Sequence, residues 1–373
     1  MLTKQQSIND LDKPKLIDTD VHNTFASPED LLPYLPKVWH EQWLNSDLIG
    51  NPWYSPLGGV NRKDAVTPSG KQPGSDPIYM IEHHLDAFDI DYAILTGHTT
   101  INCSLHADPD YGNAVASAYN DYMLEHWLKV DPRYKGSLVI NFSDPDAAVK
   151  EIHRLGEHPD IVQVVMCSGA RMPFGQRYYH KIYEAAEQLN LPVAIHPGSE
   201  GKGVGYPPTP SGYPTRYMEW HNILPTNYMA HINSLVCEGV FEKFPKLKFV
   251  AIEGGIAWLP HLMWRMDKNY KALRDSTPWL KRLPSEYILE HIRLTTQPIE
   301  EPEDHKQLID IFKMIDAGNT LLFASDYPHW DFDNPKLALA KIPKDMRVRI
   351  QSENAIELYG LKRKAKREGS RSE

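Results

Sequence analysis

Residues 16–22 read LIDTDVH. Leu16, Ile17 and Val21 are apolar and Thr19 is β-branched, a composition that favours a short strand. Side chains alternate along a strand, so Asp18, Asp20 and His22 are expected to share one face. Two carboxylates and an imidazole on a buried face are costly unless something compensates them. A bound metal compensates both, because carboxylate oxygen and neutral imidazole are good ligands. A strand end with solvated polar residues would read the same way, so the rest of the chain has to decide.

Seven further stretches alternate with helical patterns. They are DYAILTG (91–97), GSLVINF (136–142), IVQVVMCSG (161–169), LPVAIHPG (191–198), LKFVAIEGG (247–255), HIRLTTQ (291–297) and LLFASDYPH (321–329). Helical spacing is expected over 78–90, 113–130, 145–155, 178–189, 226–244, 257–273, 305–316 and 346–359. Several of the strands are continuous apolar runs, as parallel strands covered on both faces should be. Eight βα units predict an α/β protein, a (β/α)8 TIM barrel. An open doubly wound sheet would want a glycine-rich phosphate loop after the first strand, and none is present. Two long insertions interrupt the pattern, at 33–77 and 199–225, both rich in Pro, Gly and aromatic residues. Loops of that length are usually functional lids or disordered; the aromatic content favours a packed lid and would also suit a subunit interface with a like or homologous chain. One domain is expected over 1–361, followed by a disordered basic tail, 362–373.

The 373 residues are 41% hydrophobic and 24% charged with a formal charge of −9, which argues against nucleic-acid or anionic-membrane binding. Three widely spaced cysteines do not form a disulfide pattern. There is no apolar leader or spanning stretch, so a cytoplasmic enzyme for a small molecule is expected.

In such a barrel, chemistry sits at the C-terminal ends of the strands. Asp20 and His22, His196, Glu253 and Asp326 each follow an apolar strand run, and His329 lies just beyond. Four strands delivering acids and histidines to one rim are far better explained by a metal site than by four coincidences.

The chain resembles the amidohydrolase-related branch of the metal-dependent amidohydrolase superfamily, which includes the 2-amino-3-carboxymuconate semialdehyde decarboxylase-like enzymes. IDTDVH, AIHPG, GVFEKFPKLKFVAIEGG, ASDYPHWD and SENAIELYGL carry the resemblance, in order, from Leu16 to Leu361. It implies that Asp20, His22, His196 and Asp326 hold a divalent metal whose bound water or substrate does the chemistry, with Asp326 steering a proton. The decarboxylases of the family carry a histidine in a His-Gly-Gly context where this chain has Glu253 in IEGG, which weighs against decarboxylation. A glutamate there could bridge to a second metal, with His231 or His329 as its nitrogen ligand. Carboxylate-rich sites favour Mn or Fe over a lone Zn.

The expected function is therefore metal-dependent hydrolysis or cleavage of a small organic acid, amide or lactone, with Asp326, Glu253 and His329 as catalytic candidates. The alternative is a dinuclear Fe/Mn oxygen-activating hydroxylase, as in some members of the branch. A third reading is a non-catalytic subunit paired with an active homologue. Arg171, Tyr206 and Trp220 are candidates for substrate contact, and Tyr206, Tyr213, Trp220 and His221 of the second insertion could roof the pocket. His83 and His84 are expected to be solvated, and His98 to reach the pocket edge.

Overall fold

Eight parallel strands, each hydrogen-bonded to the next in sequence order, form the centre of the molecule. The computed structural model describes residues 15–45 and 61–361. The strands are β1 (Ile17–Val21), β2 (Tyr92–Leu95), β3 (Tyr134–Val139), β4 (Ile161–Cys167), β5 (Val193–His196), β6 (Phe249–Ala251), β7 (Ile292–Thr295) and β8 (Leu321–Leu322). The barrel is closed by β1 meeting the segment after β8. The Thr19 N–H donates to Phe323 O at 2.9 Å, the His22 N–H donates to Tyr327 O at 2.7 Å, and Val21 bridges Tyr327 in parallel. The chain is thus a (β/α)8 barrel.

Its strands are buried along nearly their whole length, because helices cover their outer faces and side chains fill the interior. Helices Pro109–Met123, Pro145–Leu155, His180–Gln188, Pro225–Cys237, Leu259–Leu273 and His305–Met314 follow the expected pattern. The helix expected over 226–244 is broken at Gly239, which takes φ 72° and has no room for a side chain beside Trp279. The last strand is much shorter than its sequence pattern. Beyond Leu322 the chain continues alongside β1, bonded to Thr19, Asp20 and His22, and Asp326 adopts φ 59°.

Both insertions reach the mouth. Asn61, in the first, pairs with His329, and Gly74 approaches so closely that a Cβ there would sit 2.5 Å from the His22 carbonyl oxygen. Trp53, Tyr54 and the neighbouring Pro and Gly of this insertion, like the tail 362–373, lie outside the described residues. The second insertion carries the short helix Tyr217–His221. Among the described residues no helix is long and apolar enough to cross a membrane.

Candidate metal centre

Strand β1 does not present its acids as alternation predicts. The pairing register between β1 and β2 shifts between Asp18 and Val21, which breaks the period of two. Asp18 is consequently absorbed by packing: its carboxylate accepts from the Ser325 N–H at 2.9 Å, the Ser325 hydroxyl at 2.5 Å and His84 Nε2 at 2.8 Å. This corrects two expectations. Asp18 does not join Asp20 and His22, and His84 is fully buried rather than solvated, stacked on Tyr327. His83 packs on Tyr79 and reaches the Tyr327 hydroxyl.

Asp20, His22, His196, Glu253 and Asp326 converge, with one ligand atom from each lying within 4.8 Å of all the others. His22 Nε2 is 2.9 Å from Asp326 Oδ1 and 3.5 Å from Asp20 Oδ1; His196 Nε2 is 3.5 Å from Asp20 Oδ2 and 3.0 Å from Glu253 Oε2. Ligands held at about 2.1 Å from one ion stand about 3.0–3.4 Å from each other, and these separations lie within about 0.1 Å of that range. Three of the converging atoms, Asp20 Oδ2, His22 Nε2 and His196 Nε2, are buried without a hydrogen-bond partner. A buried polar atom with no partner is costly, and a cation would satisfy all three together.

The supporting contacts have the same logic. His22 Nδ1 donates to Gly97 O at 2.5 Å and His196 Nδ1 to Pro197 O at 2.9 Å. Each bond fixes the tautomer that leaves Nε2 with a lone pair facing the cluster. The Thr96 hydroxyl donates to Asp20 Oδ1 at 2.7 Å. His329 Nδ1 bonds Asp326 Oδ1 at 2.7 Å, and its ring packs on His22 with centroids 4.1 Å apart. Glu253 and Asp326 sit at φ 58° and 59°, a left-handed conformation that non-glycine residues rarely adopt. Strain of this kind persists where surrounding structure enforces it, and it gathers at functional sites.

Electrostatics point the same way. Burial pushes His22 down to about 4, so it stays neutral, as a ligand must. Burial also opposes charge on His196, but the Asp20 and Glu253 carboxylates outweigh it and hold the ring well above the usual histidine range. The same carboxylates that favour positive charge at His196 would favour a divalent ion among them. The residues present therefore fit a divalent metal ion.

The cluster opens into a cavity of ≈ 220 Å³. Its walls include His98, Lys202, Tyr217, Trp220, Trp330 and Asp331. Trp220 and His98 are thus placed where the sequence suggested. His231 is not. Its Nδ1 accepts from the Phe174 N–H at 3.2 Å and its Nε2 donates to Ser168 O at 2.8 Å, so neither nitrogen is left for a metal. Arg171 is exposed and lines a different cleft, with Ser104, Phe142 and Tyr178. Tyr206 borders a small separate cavity beside His231 and is 46% exposed.

Sequence reasoning missed Lys202 and Asp331, and it treated His221 only as a roof residue. Asp331 closes the ASDYPHWD segment, so the signal was present but unassigned. His221, Glu253 and Asp331 form a second convergent group that shares Glu253 with the first.

The family model described as Amidohydrolase matches residues 17–361. The gamma-resorcylate decarboxylase of Polaromonas sp. (strain JS666) is 26% identical over 274 residues, covering 69% of this chain and 79% of that protein. The gamma-resorcylate decarboxylase of Rhodococcus jostii (strain RHA1) is 27% identical over 313 residues, covering 75% of this chain and 89% of that protein. The crystal structure of a dihydroxybenzoic acid decarboxylase from Polaromonas sp. JS666, with bound manganese and 2-nitroresorcinol, superposes with a TM-score of 0.66 at 20% identity, over 94% of this chain and 98% of that one. These relatives are lyases, neither hydrolases nor oxygenases.

Proposed function

The chain belongs to the amidohydrolase family and carries a buried donor cluster for a divalent metal, and from that premise we propose that it is a lyase that removes the carboxylate of a hydroxylated aromatic acid without oxygen. The observation that carries this reading is one cavity in which the donor cluster, a lysine and several aromatic rings face the same ≈ 220 Å³. A cavity of about 150 Å³ takes benzene, so this one suits a single substituted ring. His98, Tyr217, Trp220 and Trp330 supply ring faces and edges for it. Lys202, whose ammonium burial makes easier to deprotonate despite the opposing charge of Glu200, is the cation of the wall and suits an anionic substrate.

The metal, when bound, supplies Lewis acidity toward adjacent hydroxyl and carboxylate oxygens. The chain's own groups must then deliver a proton to the ring carbon as carbon dioxide departs. The hydrogen-bonded Asp326–His329 pair is placed to do this, since His329 lines the cavity and Asp326 lies behind it. Burial, with His22 next in effect, holds His329 near 3, so its ring is neutral at rest, and each proton it gives to the ring carbon is one it takes up from Asp326 or from solvent. This assignment removes the need for a strand-six histidine, and Glu253 is left to the metal.

Oxygen activation is the competing reading, and Glu253 is the observation that favours it, because its carboxylate faces two donor groups at once. The test is an anaerobic assay of the manganese-loaded protein with gamma-resorcylate and related ortho-hydroxybenzoates. The expected result is release of carbon dioxide and the protonated arene in equal amounts, with no oxygen uptake when air is admitted. Oxygen consumption with a hydroxylated product would replace this reading with the second one. Turnover only of lactone or amide probes would return the protein to hydrolysis.

A further inference from the structure

Two side chains in the cavity wall are more than nine-tenths buried and carry a polar atom with no hydrogen-bond partner among the described residues. They are Asn102, 6% exposed, at Oδ1, and Trp220, 7% exposed, at the indole N–H. Half-buried Lys202 lines the same cavity. Asn102 lies in the short helical segment Thr99–Leu105 after β2, Lys202 in the loop after β5, and Trp220 in the insertion helix. The loop of Lys202 is pinned to the segment of Asn102. The Val204 N–H donates to Leu105 O at 3.1 Å, and Gly203, at φ 52°, has no room for a side chain against Leu105.

Packing alone leaves these groups unexplained, because a buried donor or acceptor without a partner is costly. Glu200 is the acid that acts on Lys202, but its carboxylate is engaged elsewhere. It accepts from the Ser168 hydroxyl and from the Gly198 N–H at 2.9 Å. The carboxylates of the donor cluster do not act on Lys202, so its ammonium stands apart from the metal centre. Water in the cavity would satisfy the Trp220 N–H and the Asn102 amide, but it would not answer the charge of Lys202. Trp220 offers only a donor, Lys202 several, and an asparagine amide one end of each kind. The group that matches such a wall is a carboxylate, whose two oxygens carry about four acceptor sites.

We propose that Asn102, Lys202 and Trp220 form a subsite for a second carboxylate of the substrate, held away from the metal, so that the preferred substrate is a hydroxylated aromatic acid with two carboxylates. The inference rests on the decarboxylase reading of the same cavity for the other end of the molecule. In ≈ 220 Å³ a single ring reaches every wall. A ring whose hydroxyl and first carboxylate face the donor cluster therefore turns its far positions toward these three side chains. Lys202 supplies charge, and the Trp220 N–H and Asn102 amide supply direction. A ring with only hydrogen at those positions leaves them without an acceptor, and a wall of this kind discriminates by that loss. Only the carboxylate at the metal departs, as carbon dioxide, and a proton takes its place on the ring; the second stays bound at Lys202.

Three nitrophenols, in which a nitro group stands for the departing carboxylate, measure binding without turnover: 2-nitrophenol, 4-hydroxy-3-nitrobenzoate and 3-hydroxy-4-nitrobenzoate. In calorimetric titration of the full-length, manganese-loaded protein, at least one of the two benzoates should bind about tenfold or more tightly than 2-nitrophenol. Lys202→Met should bring that ratio close to one, and Lys202→Arg should keep most of it. Trp220→Phe, which keeps a ring and removes the N–H, should lower the ratio about threefold. The proposal is overturned if neither benzoate binds more tightly than 2-nitrophenol, or if the advantage survives in Lys202→Met. Should Lys202→Met fail to fold, the wild-type ratio and Trp220→Phe decide, and an undiminished ratio in Trp220→Phe overturns it. Carbon dioxide assays with 4-hydroxyisophthalate and 2-hydroxyterephthalate separate the two claims. A Lys202-dependent binding advantage with no carbon dioxide from either leaves the subsite intact and defeats only the decarboxylase reading. Carbon dioxide from gamma-resorcylate, with no such advantage, does the reverse.

Discussion

His231 and His196 are buried to the same degree, 5% and 4% exposed, yet the structure gives them opposite uses. His231 has a partner at both ring nitrogens, Phe174 N–H and Ser168 O, and stacks on Phe174 with centroids 4.2 Å apart. His196 has a partner at Nδ1 only; its Nε2 points without a hydrogen bond into a group of carboxylates. The same contrast separates Asp18 from Asp20, two residues apart on β1. Asp18 is satisfied by Ser325 and His84, whereas Asp20 Oδ2 is left open. Burial does not distinguish a ligand from a structural polar residue. What distinguishes them is whether the protein has left a lone pair unmatched.

The largest expected effect breaks the comparison if it fails. His196→Ala should lose metal by more than the roughly 10–100-fold that outer-shell changes cost, and activity should fall with it. His231→Ala should retain full metal content by elemental analysis. Loss of metal from folded His231→Ala would show that the two histidines are not of different kinds.

Stability should divide the other way. His231→Ala removes two buried hydrogen bonds and a stacked ring, and should cost about 2–4 kcal/mol in urea unfolding. Asp18→Asn should likewise destabilise by about 2–3 kcal/mol without lowering metal content. Asp20→Asn should lower metal content while changing the stability of the metal-free protein little.

A pH series sharpens the contrast. Burial pushes His231 down to about 4, below its value of 6.5 when exposed. The unfolded chain therefore binds the proton first, so this contribution to stability is intact above pH 6.5 and declines as pH falls toward 4. Between pH 7.5 and 5 the loss should be about 2 kcal/mol for this residue. The stability gap between wild type and His231→Gln should narrow by that amount over the same range. A gap independent of pH would remove His231 as its source.

The smallest effect concerns support of a ligand. Thr96→Val deletes the hydroxyl that bonds Asp20 Oδ1 at 2.7 Å. Manganese affinity should weaken about tenfold, with the fold unchanged. Calorimetric titration of the metal-free variant would measure it, and an unaltered affinity would mean that Asp20 is oriented by its backbone alone.

Much of the barrel and its rim was readable from residues in order. Apolar runs at regular intervals marked the strands, and an acid or histidine at the end of four of them marked the rim, because in a barrel every strand ends at the same face. Asp20, His22, His196, Glu253 and Asp326 were found that way, and they do converge. His98 and Trp220 also reached the cavity as position alone suggested.

Tertiary structure decided the features that depend on contacts across long sequence separations. The register shift in β1 turned Asp18 away from the cluster, and no local pattern announces a bulge. His84 is buried because the segment after β8 folds Tyr327 over it. Asp331 meets His221 only because the loop after β8 bends back, with the Asp333 N–H on Ser325 O at 3.0 Å, while the second insertion brings its helix over the same mouth. Arg171 and Tyr206 left the site for the same reason, since loops after β4 and β5 can open toward neighbouring clefts. Sequence by itself determined the barrel, its active rim and the first donor set, because period and strand end are local properties of the chain. Only the folded molecule decided which polar groups were matched and which were left with a free lone pair, because that depends on where loops hundreds of residues apart come to rest.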